Sequence, residues 1–396
     1  MTTQTYKHGY DMIYLAACAL HHEVPSAERV ASMSLGEVYR FAKHHGMQAI
    51  TFAGLELLLS SLPDADETFP QELLQKWSED RAKAVRKNIL FDAERRKLFD
   101  FLDERGIWHM PLKGVILQEF YPEYGMRQMV DNDILFDSNY RETVRDYFLE
   151  NGYTEAEKDD ESHDAYSKRP VYNFEMHFSL HRPTAVPLFY EYYKNVKERL
   201  LTVDDAHSME YRFGNEDFYI YCLSHSYKHF ICAGIGIRSL MDTYVYLEAQ
   251  KDGLDWNYIL RECEILGMTS YEESAKALAE KFFRKPGCTE EELSEEEREL
   301  AEFFLSSGSH GTAENRIVQK IRASAKKDHS LTAAGKFRYL LKRVFPDMDY
   351  IQKNYPFFCR YKIFLPFLVF WRGIRLLFLR PKDLVTELKL VWKTKK

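Results

Sequence analysis

Asp131 and Asp133, separated by Asn132 and opening the apolar run Ile134-Leu135-Phe136, could hold a divalent cation between them. Side chains two apart on a β-strand point the same way. Two carboxylates held side by side repel each other unless a cation sits between them. A third carboxylate, Glu175, lies in residues 171–180, whose composition and period-two alternation predict another strand. Glu175, His177 and Ser179 share one face of it, and Phe174, Met176 and Phe178 the other. If the two strands are neighbours, three carboxylates can hold two Mg2+ ions, which neutralise a triphosphate and lower the pKa of an attacking hydroxyl. Upstream, Lys113-Gly114 separates a strand-like stretch, residues 107–112, from a helix-like one, residues 115–120. Such a turn presents backbone N–H groups and an ammonium at a helix N-terminus, where phosphate binds. Cation bracket and phosphate cradle together point to nucleotide chemistry.

Each feature also has a plainer reading. Asp-x-Asp alone is a solvated strand end, Lys113-Gly114 a strand-to-helix turn with glycine for a tight backbone, and Glu175 an ion-pair partner of Arg127 or Arg182. Their joint order is what carries weight. The run Leu112-Lys113-Gly114, then Tyr121-Pro122, Arg127, Asp131-Asn132-Asp133-Ile134-Leu135 and finally Glu175-Met176-His177 resembles the uncharacterised nucleotidyltransferase family of the DNA polymerase β-like superfamily. The likeness spans roughly residues 90–245. The superfamily usually opens its site with Gly-Ser, and this chain has Lys113-Gly114, as the resembled family does. Asn132 stands where the family more often has an apolar residue, on the strand face turned away from the carboxylates.

The resemblance implies an α+β fold, a small mixed-sheet polymerase β-like core flanked by helical regions. It implies Mg2+-dependent transfer of a nucleoside monophosphate from an NTP donor to an acceptor hydroxyl the sequence does not identify. Asp131 and Asp133 would coordinate both ions, while Glu175 would hold the catalytic one and help take the acceptor's proton. Lys113 and the Gly114 backbone would contact the β/γ-phosphates, and Arg127 would neutralise charge on the transferred group or pyrophosphate. Arg238 and Asp242 match a helical pair that borders the nucleotide cleft in that family; spaced four apart, they otherwise read as a helix salt bridge. A second reading keeps the fold without catalysis, as a scaffold binding nucleotide or a partner at a membrane. A third builds a metal site on His225 and His229, four apart on one helix face, where hydrogen-bonded core-edge histidines are the plainer account.

The elements that must position these residues follow from periodicity. Residues 1–105 read as helical, with apolar helical spacing at 11–20, further helices near 35 and 51–58, and a longer one over 70–105 interrupted in its middle. The catalytic core is expected over 106–186, with a helix near 138–149 and an acidic stretch, 155–164, read as a solvated hairpin connection. A helical domain follows over 187–330, including periodic helices over 217–230 and from 237.

Residues 331–396 form a basic, aromatic, amphipathic tail. Residues 336–396 carry fifteen Lys and Arg against four Asp and Glu, although the whole chain has a net charge of −7. Burial of the tail's apolar face with attraction of its cations to anionic lipid would give a peripheral membrane contact; closing a domain or docking on a protein are the alternatives. The acidic remainder disfavours nucleic acid as a partner. Six cysteines (Cys18, Cys222, Cys232, Cys263, Cys288, Cys359) contain no Cys-x-x-Cys pair. With no secretory signal pattern and no long uninterrupted apolar stretch, they read as reduced thiols of a cytoplasmic protein, at most peripheral to the inner face of the membrane.

Overall fold

The computed structural model describes residues 3–62, 69–158, 161–203, 208–309 and 311, and in the C-terminal part 348, 351, 355–365, 367–368 and 370. The chain divides into two units. One comprises Met1–Lys228 and Gly236–Ser309, the other His229–Ile235 and His310–Lys396.

The first unit begins with four helices, α1 (Thr3–His21), α2 (Ala27–Ala31), α3 (Leu35–His45) and α4 (Gln48–Ser61). Their apolar side chains bury against one another, with Met12, Leu15, Ala16, Ile50 and Leu55 fully enclosed. Close approach of α1 and α4 is possible because of Gly54: a Cβ there would lie 2.0 Å from the carbonyl oxygen of Leu15. Gly54→Ala is therefore expected to cost about 3 kcal/mol in chemical denaturation, because a backbone atom cannot yield as a side-chain end would. Gly36→Ala on α3 meets nothing within 4 Å and is expected to be neutral or to gain a few tenths of a kcal/mol from helix propensity. Equal effects at the two sites would disprove the packing argument.

Helix α5 (Gln71–Glu104) runs for 34 residues without the expected interruption. Its middle is rich in charge but contains neither glycine nor proline. Its buried residues, Leu74, Trp77, Ala84, Asn88, Phe91, Leu98 and Leu102, keep the spacing of one continuous stripe. The last turns of α5 cover one face of a five-stranded sheet of order β1-β2-β5-β4-β3, built from β1 (His109–Pro111), β2 (Asn132–Phe136), β3 (Thr154–Lys158), β4 (His163–Lys168) and β5 (Tyr172–His177). Leu98, Leu102, Ile134, Phe136, Tyr166, Phe174 and Met176 form the core beneath it, closed by Val144 and Phe148 of α7 (Arg141–Glu150). A short helix, α6 (Gly114–Leu117), follows β1.

The pairing of β2 with β5 is parallel, and the other ladders of the sheet are antiparallel. Alternation along each strand then divides the sheet cleanly. Asn132, Ile134 and Phe136 with Phe174 and Met176 face the core side, leaving Asp133, Glu175 and His177 on the opposite face. The acidic stretch read as a solvated hairpin connection is part of the hairpin itself, holding most of β3 and the start of β4. Asp164 is buried, and the Nε and Nη2 of Arg141 each donate to it at 2.7 Å. A buried carboxylate is tolerated there because a bidentate guanidinium answers it.

Beyond the sheet come α8 (Pro187–Tyr193), α9 (Asn215–Cys232), α10 (Ile237–Ala249), α11 (Trp256–Ile265), α12 (Thr269–Phe283) and α13 (Glu295–Ser307). This region is not all helical as the sequence suggested. Strands β6 (Leu200–Thr202) and β7 (Tyr211–Phe213) form an antiparallel pair within it. Residues 312–330 of the expected helical domain lie outside the described residues.

Most of the basic tail also lies outside the described residues. Within the second unit, Pro356–Arg360 is helical, and Phe357, Ile363, Phe367 and Phe370 are exposed. Among the described residues no helix is long and apolar enough to cross a membrane, and Cys18, Cys222, Cys232, Cys263 and Cys288 form no disulfide.

Candidate active site

The parallel register of β2 and β5 sets Asp133 directly opposite Glu175 and Leu135 opposite His177. Asp131 precedes β2 by one residue, and an oxygen from each of Asp131, Asp133 and Glu175 lies within 4.8 Å of the others. Such an all-oxygen set suits a hard divalent cation. Asn132 turns away as its parity requires, and its Oδ1 accepts from Nη1 of Arg95 on α5 at 2.9 Å.

Asp133 is buried with both oxygens committed. Oδ1 accepts from Nε2 of His177 at 2.9 Å, and Oδ2 from the Lys113 ammonium at 3.0 Å. Burial alone would push its pKa up, but Lys113 and His177 outweigh burial and hold it well below the carboxylate range. Asp131 lacks such partners. Burial and the neighbouring charges of Asp133 and Glu175 push it up to about 7, against the partial relief of Lys113 and Arg238. A carboxylate so displaced is one that a cation would restore. For His177 and Lys113, burial disfavours the charged form, yet Asp133 wins and raises both.

The opposite shifts of the two aspartates have a consequence for stability. Folded Asp131 keeps its proton up to about pH 7, whereas unfolded it loses it near 3.8. Between those values the unfolded chain binds fewer protons at this position, so the group's contribution falls as pH rises. We expect the Asp131→Asn variant, measured against wild type by urea denaturation without metal, to be about 2 kcal/mol the more stable at pH 8 and equal to it near pH 4. Excess Mg2+ at pH 8 should close that gap by stabilising the wild type. A gap independent of pH would disprove the linkage.

Lys113 and Gly114 divide the turn differently from expectation. The residue held at positive φ (40°) is Lys113, not the glycine. Gly114 is required for another reason, since a Cβ there would lie 2.4 Å from Nη1 of Arg127. The amides of Val115, Ile116 and Leu117 are spent on Leu112 and Lys113 carbonyls. A phosphate at this turn would therefore meet mainly the ammonium and the first amides.

Arg127 is buried, and its Nε and Nη2 donate to Oδ1 and Oδ2 of Asp242 on α10 at 2.8 and 2.9 Å. Tyr121 donates to the same Oδ1 at 2.6 Å. The helix salt bridge suggested for Arg238 and Asp242 is thus replaced by a tertiary pair between Asp242 and Arg127. Arg238 donates to the Gln128 carbonyl at 3.3 Å. Burial and then Arg127 lower its pKa, while Asp242, Tyr121 and Asp131 pull it up, which places the guanidinium in the field of the bracket. Nor does Glu175 pair with Arg127 or Arg182. Its Oε2 faces Nε2 of His177 at 3.6 Å and of His163 at 3.8 Å. Neither His225 nor His229 belongs to a group of metal-ligating side chains found among the described residues.

Sequence reasoning missed His163, which the antiparallel β4–β5 ladder sets opposite His177. The signal was the alternation of residues 163–167 beside an apolar partner strand, obscured by the acidic residues before it. It also missed Asn88, which donates to the Arg127 carbonyl at 3.0 Å and accepts from the Met129 amide at 3.3 Å, stitching that segment to α5.

Neither a curated protein nor a solved structure matches this chain significantly. The sequence profile of one family, however, covers residues 32–284 and so encloses the carboxylate bracket, the Lys-Gly turn and the Arg127–Asp242 pair. By that match the chain belongs to the family described as uncharacterised nucleotidyltransferase.

Proposed function

We propose that this chain is a nucleotidyltransferase with a polymerase β-like core, moving a nucleoside monophosphate from an NTP to an acceptor hydroxyl with the help of Mg2+. The observation that carries the reading is the convergence of Asp131, Asp133 and Glu175 oxygens within 4.8 Å on adjacent strands, beside a Lys-Gly turn. These three residues would hold Mg2+, which when bound neutralises the triphosphate and acidifies the attacking hydroxyl.

The chain's own residues do the rest. The acceptor oxygen bonds to the α-phosphorus, the bond to the bridging oxygen breaks, and pyrophosphate leaves with its charge. Glu175, more open than the buried Asp133, would receive the acceptor's proton. The Lys113 ammonium answers the β/γ-phosphates at the Gly114 turn. Arg238 supplies the second cation, because Arg127 has committed Nε and Nη2 to Asp242. Arg127 and Asp242 act as positioning residues that fix the turn against α10. Catalysis would rest on placement and charge more than on covalent chemistry.

The test is calorimetric titration of the full chain with each of the four NTPs, with Mg2+ and with a chelator. Saturable binding of at least one NTP that depends on Mg2+ is expected, and it names the donor for an acceptor screen. Absence of binding for all four by folded protein would overturn the donor-site reading and leave a silent scaffold of the same fold.

A further inference from the structure

We propose that His163, His177 and Glu175 form a second, nitrogen-rich site for a first-row transition-metal dication of the zinc class, sharing Glu175 with the all-oxygen bracket. The inference rests on donor geometry and not on nucleotide transfer, so either reading can fail alone.

Two strands build it. The β4–β5 ladder sets His163 directly across from His177, and Glu175, two residues before His177 on β5, projects from the same face. Glu175 Oε2 lies 3.8 Å from His163 Nε2 and 3.6 Å from His177 Nε2, and the ring centroids are 4.9 Å apart. Four-coordinate ions with bonds near 2.1 Å hold their ligands about 3.4 Å apart. The two carboxylate–imidazole distances are therefore within a few tenths of an ångström of that spacing before any ion arrives, and all three ligand atoms lie within 4.8 Å of one another.

The surroundings suit ligation as well. His163 Nδ1 is 3.0 Å from Ser162 Oγ, which accepts from Arg182 Nε at 3.1 Å. With Nδ1–H directed at that oxygen, His163 is held in the tautomer whose Nε2 can ligate a metal, as outer-shell partners of ligating histidines arrange. His177 Nε2 carries the hydrogen now bonded to Asp133. An incoming ion would take that proton's place between imidazole and carboxylates, and the proton would go to solvent. Two imidazoles and one carboxylate favour zinc-class ions, whereas Mg2+ prefers oxygen alone.

Co2+ is the probe, titrated into metal-stripped full-length protein and followed by visible absorption. One equivalent should bind with d–d bands that Zn2+ abolishes and an excess of Mg2+ does not. His163→Gln should weaken binding at least tenfold. His163→Cys should keep the ion and add a near-ultraviolet thiolate-to-cobalt band, which a merely misfolded variant would not. Asp131→Asn should retain the Co2+ spectrum while losing Mg2+-dependent NTP binding, separating this site from the proposed transferase. The proposal is overturned by wild type giving no bands, by wild-type affinity in His163→Gln, by a spectrum lost with Asp131→Asn, or by displacement with Mg2+ as readily as with Zn2+.

Discussion

Asp133→Asn is expected to abolish Mg2+-dependent NTP binding, weakening it at least a hundredfold by calorimetry, and to destabilise the folded chain by about 3 kcal/mol. Both effects come from the same two oxygens. Oδ1 receives the His177 Nε2–H and Oδ2 the Lys113 ammonium, so the site needs two acceptors. An asparagine offers one acceptor and one donor, so its amide faces either the Lys113 ammonium, donor against donor, or His177, whose proton must then sit on the buried Nδ1 that has no acceptor. The change also removes the charge that raises the pKa of both the Lys113 ammonium and the His177 imidazole against their burial. Asp131→Asn, two residues earlier, should lose NTP binding as well but gain stability at pH 8, because it relieves a carboxylate pushed up to about 7. Two adjacent carboxylates with a shared functional loss and opposite stability effects would be hard to explain by general disruption. Undiminished affinity for Mg2+–NTP in folded Asp133→Asn would instead show that the bracket is not where the ion sits.

The residues that converge here were more legible in the sequence than the architecture that brings them together. Parity along a strand places Asp131 with Asp133, and Glu175 with His177, on common faces, and it turns Asn132 toward Arg95. What parity cannot supply is which strands adjoin. Between β2 and β5 the chain makes α7, β3 and β4 before returning parallel to β2, and only that return sets Asp133 opposite Glu175. His163 was hidden for a related reason. An edge hairpin with one solvated strand carries the polar composition of a loop, and its alternation has meaning only once β4 is known to pair with β5. The continuity of α5 rests on the unbroken spacing of its buried stripe, which has meaning only once the surfaces it packs against are known. Asp242 shows local reasoning overruled by tertiary geometry: Arg238 is four residues away, but Arg127, distant in sequence, presents the bidentate fork.

That pair supports the other large expected effect. Asp242→Ala should destabilise the chain by about 4 kcal/mol in chemical denaturation, because it leaves the buried Arg127 guanidinium without its counter-charge. It also leaves the Tyr121 hydroxyl, bonded to Asp242 at 2.6 Å, without its acceptor. The loss would spread. The Arg127 backbone is held to α5 by Asn88, its Nη1 packs against the Gly114 turn, and Asp242 belongs to α10. One ion pair thus ties together a helix of the N-terminal half, the turn carrying Lys113 and a helix beyond the sheet. A double-mutant cycle separates this from simple packing loss. Arg127→Met with Asp242→Leu removes both charges and keeps apolar bulk, so it should recover more than half of what Asp242→Leu alone loses, a coupling of about 2 kcal/mol. If Arg127 is a positioning residue, the double variant should retain Mg2+-dependent NTP binding with affinity reduced about tenfold, because Lys113 and Arg238 remain to meet the phosphates. Complete loss of binding in a double variant that is folded and stable would return Arg127 to direct contact with the nucleotide. Additive losses without coupling would mean that the pair adds nothing beyond the space it fills.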